Sequence, residues 1–507
     1  MDFYVMSSEA ETSYPVYVSS KSPAQTVHSK TGRTDMKEIT AAEIVRVTGG
    51  TLVFGDPEAS VTKLATDSRE IPENALFVPI EGERIDGHQF IGDALDRGAK
   101  AVISAKYGPL EDWMKKNPQD PRILILVSDT LEAVQRIGAY ARSLLSIRAV
   151  GVTGSVGKTT TREMIAAALS AERKVYRTGK NYNNKLGVPI TLCELSDDWE
   201  LAVLELGLNV PGELGTISSL CDLSCAVITN IGVAHMEYYG NRDRLTEEKM
   251  TVTRGFYDSR KEEKVLFLCG DDPQLLRYRD YTGYRTVLYG TGENAAYRAV
   301  NIRPENGFYA FDFVKNGKPE FPVRLGVPGV HNVQNALAAL AVADFFGVDL
   351  KKAAESLSGF GGFSGRLERR EKAGVVYIDD TYNASPDSMK AGLRVLSEMQ
   401  PKNKGRRIAV LGDMLELGPD SPRFHYEVGT AACEGILPDL VFLCGKEAEN
   451  IGKALSDCGH GGIVRHFTGL PALKEALFSE IRPDDIVYFK ASHGMHFTGL
   501  LEEITAG

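Results

Sequence analysis

The sequence predicts an α/β protein of three domains: a small α/β N-terminal unit, a central parallel-sheet unit of the P-loop mononucleotide-binding kind, and a Rossmann-like C-terminal unit. Three observations carry this. A chain of 507 residues makes about three domains at the usual 100–200 residues each. Near its middle an apolar run breaks into the glycine-rich stretch Thr153-Gly-Ser-Val-Gly-Lys-Thr-Thr160 and continues as a helical pattern. Over residues 358–507 apolar runs alternate with helical patterns, as in a parallel sheet covered on both faces.

The central stretch organises the rest. Ile147–Val150 reads as a buried strand, and over Thr161–Ala171 the residues Met164, Ile165, Ala168 and Leu169 recur at helical spacing. In a strand–turn–helix of this kind, backbone N–H groups and the positive end of the helix dipole converge on one anion. Gly154 and Gly157 let the backbone approach phosphates, Lys158 reaches the β/γ oxygens, and the Thr159 hydroxyl can ligate Mg²⁺. The strict pattern is broken at its first glycine, where Val152 stands. The alternative is an ordinary glycine-containing turn.

Composition narrows the partners. A net charge of −10 argues against general nucleic-acid binding, which needs a basic surface. The seven cysteines (193, 221, 225, 269, 433, 444 and 458) have no zinc-type spacing and read as reduced packing residues of a cytoplasmic protein. No apolar stretch is long enough for membrane insertion.

Taken in order, residues 1–35 are polar and aperiodic and read as a disordered extension. The unit 36–146 opens with an amphipathic helix from Met36 and offers strands at Ala75–Ile80, Ala101–Ala105 and Ile123–Val127. Its polar cluster, Thr66-Asp-Ser-Arg69 with Glu81–His88, is either solvated turns or a ligand site. In the unit 147–357, the apolar runs Leu201–Glu205 and Cys225–Asn230 each end in polar residues, the second leading to His235. Ligands of parallel α/β sheets lie beyond the carboxyl ends of the strands, so Glu205 and Thr159 could share one Mg²⁺. A capping or surface role for Glu205, and a structural one for His235, are the alternatives. The unit 358–507 has strands at Val375–Asp380, Ile408–Leu411, Leu440–Cys444 and Ile486–Lys490, with helices at Ser388–Met399, Glu447–Cys458 and Ala472–Ile481. Asp379–Asn383 and Lys490–His493 then face a ligand at the sheet's carboxyl edge.

From Met36 to the C-terminus these stretches resemble the Mur ligases, ATP-dependent amide-forming enzymes of bacterial cell-wall synthesis. Besides the phosphate loop, the matching stretches are Asn181–Pro189, Glu205-Leu-Gly207, Thr229–His235 and His331-Asn-Val-Gln-Asn335. Asp379-Asp-Thr-Tyr-Asn-Ala-Ser-Pro386 and Leu411-Gly-Asp-Met-Leu-Glu-Leu-Gly418 fit best the branch that joins D-Ala-D-Ala to UDP-MurNAc-tripeptide. The Asp-Asn-Pro-Arg motif of the branch that adds the third residue is absent.

The resemblance implies that Thr153, Gly154, Ser155, Val156, Gly157, Lys158, Thr159 and Thr160 hold ATP, with Asn332 and Asn335 at the adenine and Arg366 and Asp380 closing from the third domain. It implies that Thr159, Glu205, His235 and Lys249 organise Mg²⁺, with Lys249 carried as a carbamate. On local sequence alone Lys249 reads as a surface lysine. Lys158, Glu205, His235 and Lys249 are the implied catalytic residues. Ser68, Arg69, Asp86, His88, Asn183, Asn184, Tyr382 and Asn383 are the implied substrate contacts: the first domain binds the UDP-sugar and the third binds the incoming dipeptide. Small-molecule partners and a monomeric chain are the further expectations. Two departures stand out. Lys490-Ala-Ser-His493 puts a titratable histidine where the family has an always-charged arginine, and Lys249 is followed by Met250-Thr251 where an acidic residue is more usual. The rivals are a Mur-type ligase with another acceptor and an ATP-gated binding protein. A dehydrogenase reading fails for want of G-x-G-x-x-G after the strand from Val375.

Overall fold

Strands buried on both faces read as continuous apolar runs, and in the central sheet Leu201–Glu205 and Cys225–Ile228 are buried at every position. The computed structural model describes residues 36–506 apart from 83–84, 180, 233–235, 258–261, 282, 306–307 and 364, so the extension 1–35 lies outside the described residues. The central sheet has nine strands, in the order Lys318–Arg324, Phe308–Lys315, Tyr297–Glu305, Arg285–Gly290, Val265–Cys269, Cys225–Ile228, Arg148–Thr153, Leu201–Glu205 and Val175–Arg177. Its last seven strands run parallel, and the first three form an antiparallel meander. After Arg148–Thr153 the chain builds out to one side and then to the other. The crevice at a topological switch point therefore opens at the carboxyl end of this strand.

That strand runs to Thr153 rather than ending at Val150. Gly151 is tolerated within it because a Cβ there would come 2.7 Å from Leu223 Cδ1, so a close approach rather than a turn demands the glycine. The following helix spans Lys158–Leu169, starting three residues before the apolar periodicity does, with Gly157 as a left-handed cap at φ 83°.

The C-terminal sheet is ordered Glu368–Lys372, Val375–Asp379, Ile486–Lys490, Arg407–Gly412, Leu440–Cys444 and Val464–Phe467, with the first strand an antiparallel edge. Each face has its own core. Met389, Leu393, Val428 and Ile451 fill one, and Leu473, Leu477, Leu500 and Leu501 fill the other. The N-terminal sheet is ordered Thr51–Phe54, Ile123–Leu126, Ala101–Ser104, Ala75–Phe77 and Lys63–Ala65. The first helix begins at Ala41, not Met36. Thr40 caps it in a reciprocal box with Glu43, and Ile39–Thr40 pairs as a short strand with Ser60–Val61.

The helix Thr130–Ser143 ties the first unit to the second. Gly138 lets it lie directly on Pro189, and the buried Arg142 donates from Nε to the Cys221 carbonyl (2.8 Å) and from Nη2 to that of Ile147 (2.7 Å). All seven cysteines are free thiols. Cys193, Cys221, Cys225, Cys269 and Cys444 are buried, while Cys433 is half-buried and Cys458 exposed.

Candidate active site

A cleft of about 520 Å³ opens between the central and C-terminal sheets. One wall is the glycine loop from Ser155 to Thr160, with Thr229–Gly232 and Asp271–Pro273 from the neighbouring strand ends. His331, Asn332 and Asn335 from the helix His331–Phe345 form its floor, and Arg366, Asp380, Asn383–Ser388 and Lys490 face it from the third domain.

The loop is shaped from the next strand end. Ser155 N–H donates to the Asn230 carbonyl (3.0 Å) and Val156 N–H to Asn230 Oδ1 (2.9 Å). The Val156 carbonyl accepts from Thr229 Oγ1 (2.7 Å) and Asn230 Nδ2 (3.0 Å). Gly154, at φ 146°, has no room for a side chain, since a Cβ would fall 1.9 Å from Thr229 Oγ1. Gly154→Ala therefore costs stability by the overpacking amount, about 1–3 kcal/mol, and displaces the loop. A lowered melting temperature together with lost ADP binding is the expected result, and wild-type values for both would contradict it.

Lys158 folds over this loop, donating from Nζ to the carbonyls of Gly154 (2.9 Å) and Ser155 (3.2 Å). Burial lowers its pKa, the Glu205 carboxylate opposes that, and the Arg366 guanidinium adds to it. The Oγ of Ser155 is buried without a hydrogen-bond partner among the described residues. Thr159 is buried, and its Oγ accepts from Arg366 Nη2 (3.3 Å) across the domain boundary. Arg366 also lies over the Tyr382 ring, 4.2 Å from its centre.

Behind the loop, Glu205 is 4% exposed and paired on both oxygens: Oε1 accepts from Asn183 Nδ2 (2.9 Å) and Oε2 from Arg162 Nη1 (3.1 Å). Lys249, the penultimate residue of the helix Arg242–Met250, is 1% exposed. Burial holds its pKa well below the usual lysine range, and the Lys158 charge pushes the same way. Lys158, Glu205 and Lys249 thus lie within one electrostatic neighbourhood. The buried Thr159 hydroxyl and Glu205 carboxylate are hard oxygen donors. They fit Mg²⁺, which takes one or two protein oxygens and completes its shell with phosphate and water. Among the described residues no three His, Cys, Asp or Glu gather into a metal cage. His235 lies outside the described residues.

On the third domain, Lys490 Nζ donates to Asp380 Oδ2 (2.5 Å) and Tyr488 to the same oxygen (2.9 Å), all three groups buried. His331 is held neutral: burial pushes its pKa down to about 4, with Asp380 opposing and Lys490 adding. Asn335 Nδ2 donates to Asn332 Oδ1 (2.8 Å), and Asn335 Oδ1 accepts from Thr161 (2.9 Å). His493, exposed, has its ring 6.1 Å from that of Tyr382.

Three family descriptions match the chain: "Mur ligase family, catalytic domain" over 60–142, "Mur ligase middle domain" over 152–343 and "Mur ligase, glutamate ligase domain" over 365–493. The UDP-N-acetylmuramoyl-tripeptide–D-alanyl-D-alanine ligase of Bacillus subtilis is 36% identical over 92% of this chain and 98% of its own. The chain belongs to the Mur ligase family. The enzyme of the same name from Escherichia coli is 32% identical over 86% of this chain and 91% of its own. A crystal structure of MurF from Acinetobacter baumannii superposes with a TM-score of 0.81 at 29% identity, covering 94% of this chain and all (100%) of the other. That of MurF from Thermotoga maritima in complex with ADP superposes at 0.73 and 28%, covering 88% and 97%.

This Mur ligase gathers most of the expected nucleotide residues on one cavity: Ser155 to Thr160, Asn332, Asn335, Arg366 and Asp380, with Asn383 beside them. Thr153 is fully buried at the strand end, and Gly154 lies under Thr229. Ser68, Arg69, Asp86 and His88 stand apart on the first domain and do not line this cleft. Arg69 is exposed and holds Asp67. His88 is 3% exposed with both ring nitrogens engaged, Nδ1 with Asp86 (2.6 Å) and Nε2 accepting from Ala105 N–H (3.1 Å). Both ring nitrogens of His88 are thus taken up within the first domain, and its Nδ1 supports Asp86. Asn184 Oδ1 accepts from Leu186 (3.2 Å) and Gly187 (2.8 Å), capping the helix Gly187–Cys193, and Asn183 reaches Glu205. Sequence reasoning missed Arg162, and it missed Asn230 as a buttress of the loop. Only the end of the strand Cys225–Ile228 signalled the latter.

Proposed function

We propose that this Mur ligase joins D-Ala-D-Ala to UDP-MurNAc-tripeptide, with ATP cleaved to ADP and phosphate through an acyl phosphate. The observation that carries this reading is the single cleft that the phosphate loop shares with the third domain, backed by buried Glu205 and Lys249. The first domain (36–146) holds the UDP-sugar through Ser68, Arg69 and Asp86. The central domain (147–357) holds ATP, and the third (358–507) closes over it and presents the dipeptide near Tyr382 and Asn383.

A carboxylate does not condense with an amine unaided, so the tripeptide carboxylate first attacks the γ-phosphorus. Lys158, the loop N–H groups and Arg366 take up charge on the transferring phosphoryl group and keep it in line. Mg²⁺, when bound through Thr159, Glu205 and the carbamate of Lys249, supplies charge neutralisation at the phosphates. A buried amine that is neutral can take up CO₂, and the low pKa of Lys249 supports this. The dipeptide amine, with an ordinary pKa of about 7.7–8.0, sheds its proton and attacks the acyl carbon. The tetrahedral adduct then expels phosphate.

Phosphate release is expected only when both substrates are present, and release with either alone, or with a different acceptor in place of D-Ala-D-Ala, would contradict the proposal. The protein acts as a monomer in the cytoplasm, where its free cysteines stay reduced. Light scattering at the mass of one chain checks the oligomeric state.

A further inference from the structure

Arg162 is 0% exposed, yet it carries a full charge and leaves its Nε–H without a partner. A buried ion pair is poor value for stability, because well-packed apolar residues do as well or better. The position therefore asks for another reason. Arg162 spans two carboxylates, donating from Nη1 to Glu205 Oε2 (3.1 Å) and from Nη2 to Glu163 Oε1, which also accepts from Arg177 (2.5 Å). Charges thus alternate along Glu205, Arg162, Glu163 and Arg177, and the row is neutral as a whole. The guanidinium carbon also lies 5.7 Å from the centre of the Phe363 ring. Phe363 belongs to the glycine-rich connection into the third domain, where Arg366 N–H donates to the Phe363 carbonyl (2.9 Å) and Gly362 and Gly365 have φ of 95° and 72°.

We propose that Arg162 is a positioning residue for the metal site: it fixes the Glu205 carboxylate in its ligating orientation and, through Phe363, ties that carboxylate to the turn that carries the third domain. This rests on the reading of Glu205 as a metal ligand. Arg162 holds Glu205 Oε2 and Asn183 holds Oε1, so the carboxylate is fixed at both oxygens. Metal binding meets a carboxylate that is already oriented, and outer partners of this kind are worth about 10–100-fold in metal affinity.

The test uses the full chain with ADP, counting free Mn²⁺ by electron paramagnetic resonance, and measures ADP affinity without metal alongside. Arg162→Met is expected to weaken Mn²⁺ binding about 10–100-fold while leaving metal-free ADP affinity within about twofold. Arg162→Lys, which keeps the charge but cannot span both carboxylates, should lose less. It decides the matter if Arg162→Met does not fold. Glu205→Gln separates the two layers of the argument. If Glu205→Gln loses Mn²⁺ and both Arg162 variants bind it as wild type, the positioning role is overturned. If Glu205→Gln binds Mn²⁺ as wild type, the ligand assignment itself falls, and the role of Arg162 with it.

Discussion

Lys158→Ala lowers kcat for phosphate release by on the order of 10²–10³-fold or more, the cost of removing one preorganised charge from a phosphoryl-transfer site. Affinity for the UDP-linked tripeptide should change far less, because the groups proposed to hold its sugar stand on the first domain, outside this cleft. Here Lys158 is satisfied by the carbonyls of Gly154 and Ser155, which keeps the ammonium over the loop with its charge partly opposed by burial. A triphosphate offers it a better partner at the same place. The alanine variant should fold normally, since the two bonds it loses are to loop carbonyls at the cleft wall. Single-turnover measurement of phosphate, with the unfolding temperature as control, checks both parts; a loss below about tenfold would mean that another cation does this work.

Lys249→Ala should cost on the order of 10²-fold or more in kcat and should also remove a carbamate signal. At 1% exposure an ammonium has no water to solvate it, so the amine is neutral at a pH where an ordinary lysine is charged. Because the folded pKa lies well below the usual value, protonation sets in only as the pH falls, and the carbamate is lost from that side. Enzyme equilibrated with ¹³C-bicarbonate should give a carbamate line near neutral pH that fades on acidification and is missing in Lys249→Ala. A wild-type spectrum without it would leave Lys249 as a buried amine and remove one of the proposed metal ligands.

Much of this site could be read from the chain because it is built from strand ends. Leu201–Glu205 is a buried strand that finishes on a charge, and such a charge needs a partner; the structure supplies Arg162 and Asn183. The phosphate loop was legible for the same reason: a strand, a glycine turn and a helix must follow one another locally. What stayed hidden depends on contacts between distant segments. Arg162 follows three threonines and reads as the polar first turn of a helix, and only its burial against Glu205, 43 positions on, gives it a role. The buried environment of Lys249 is likewise a property of tertiary packing, and locally it follows two glutamates like any surface lysine. In the first domain, His88 sits in a polar cluster yet is turned inward by Asp86 and Ala105.

The meander from Tyr297 to Arg324 went unread although its signal stands in the sequence. Asn316 and Gly317, both at positive φ, join its last two strands in the most characteristic of short hairpins. Pro304, Pro319 and Pro322 obscure it, and the last two are tolerated because Lys318–Arg324 is an edge strand.

In the proposed reaction the tripeptide carboxylate attacks the γ-phosphorus of ATP bound at Lys158. Labelling that carboxylate with ¹⁸O and analysing the phosphate released in one turnover follows the transferred oxygen itself. One ¹⁸O atom is expected in the inorganic phosphate, with ADP as the other product. Unlabelled phosphate, or AMP with pyrophosphate, would contradict it.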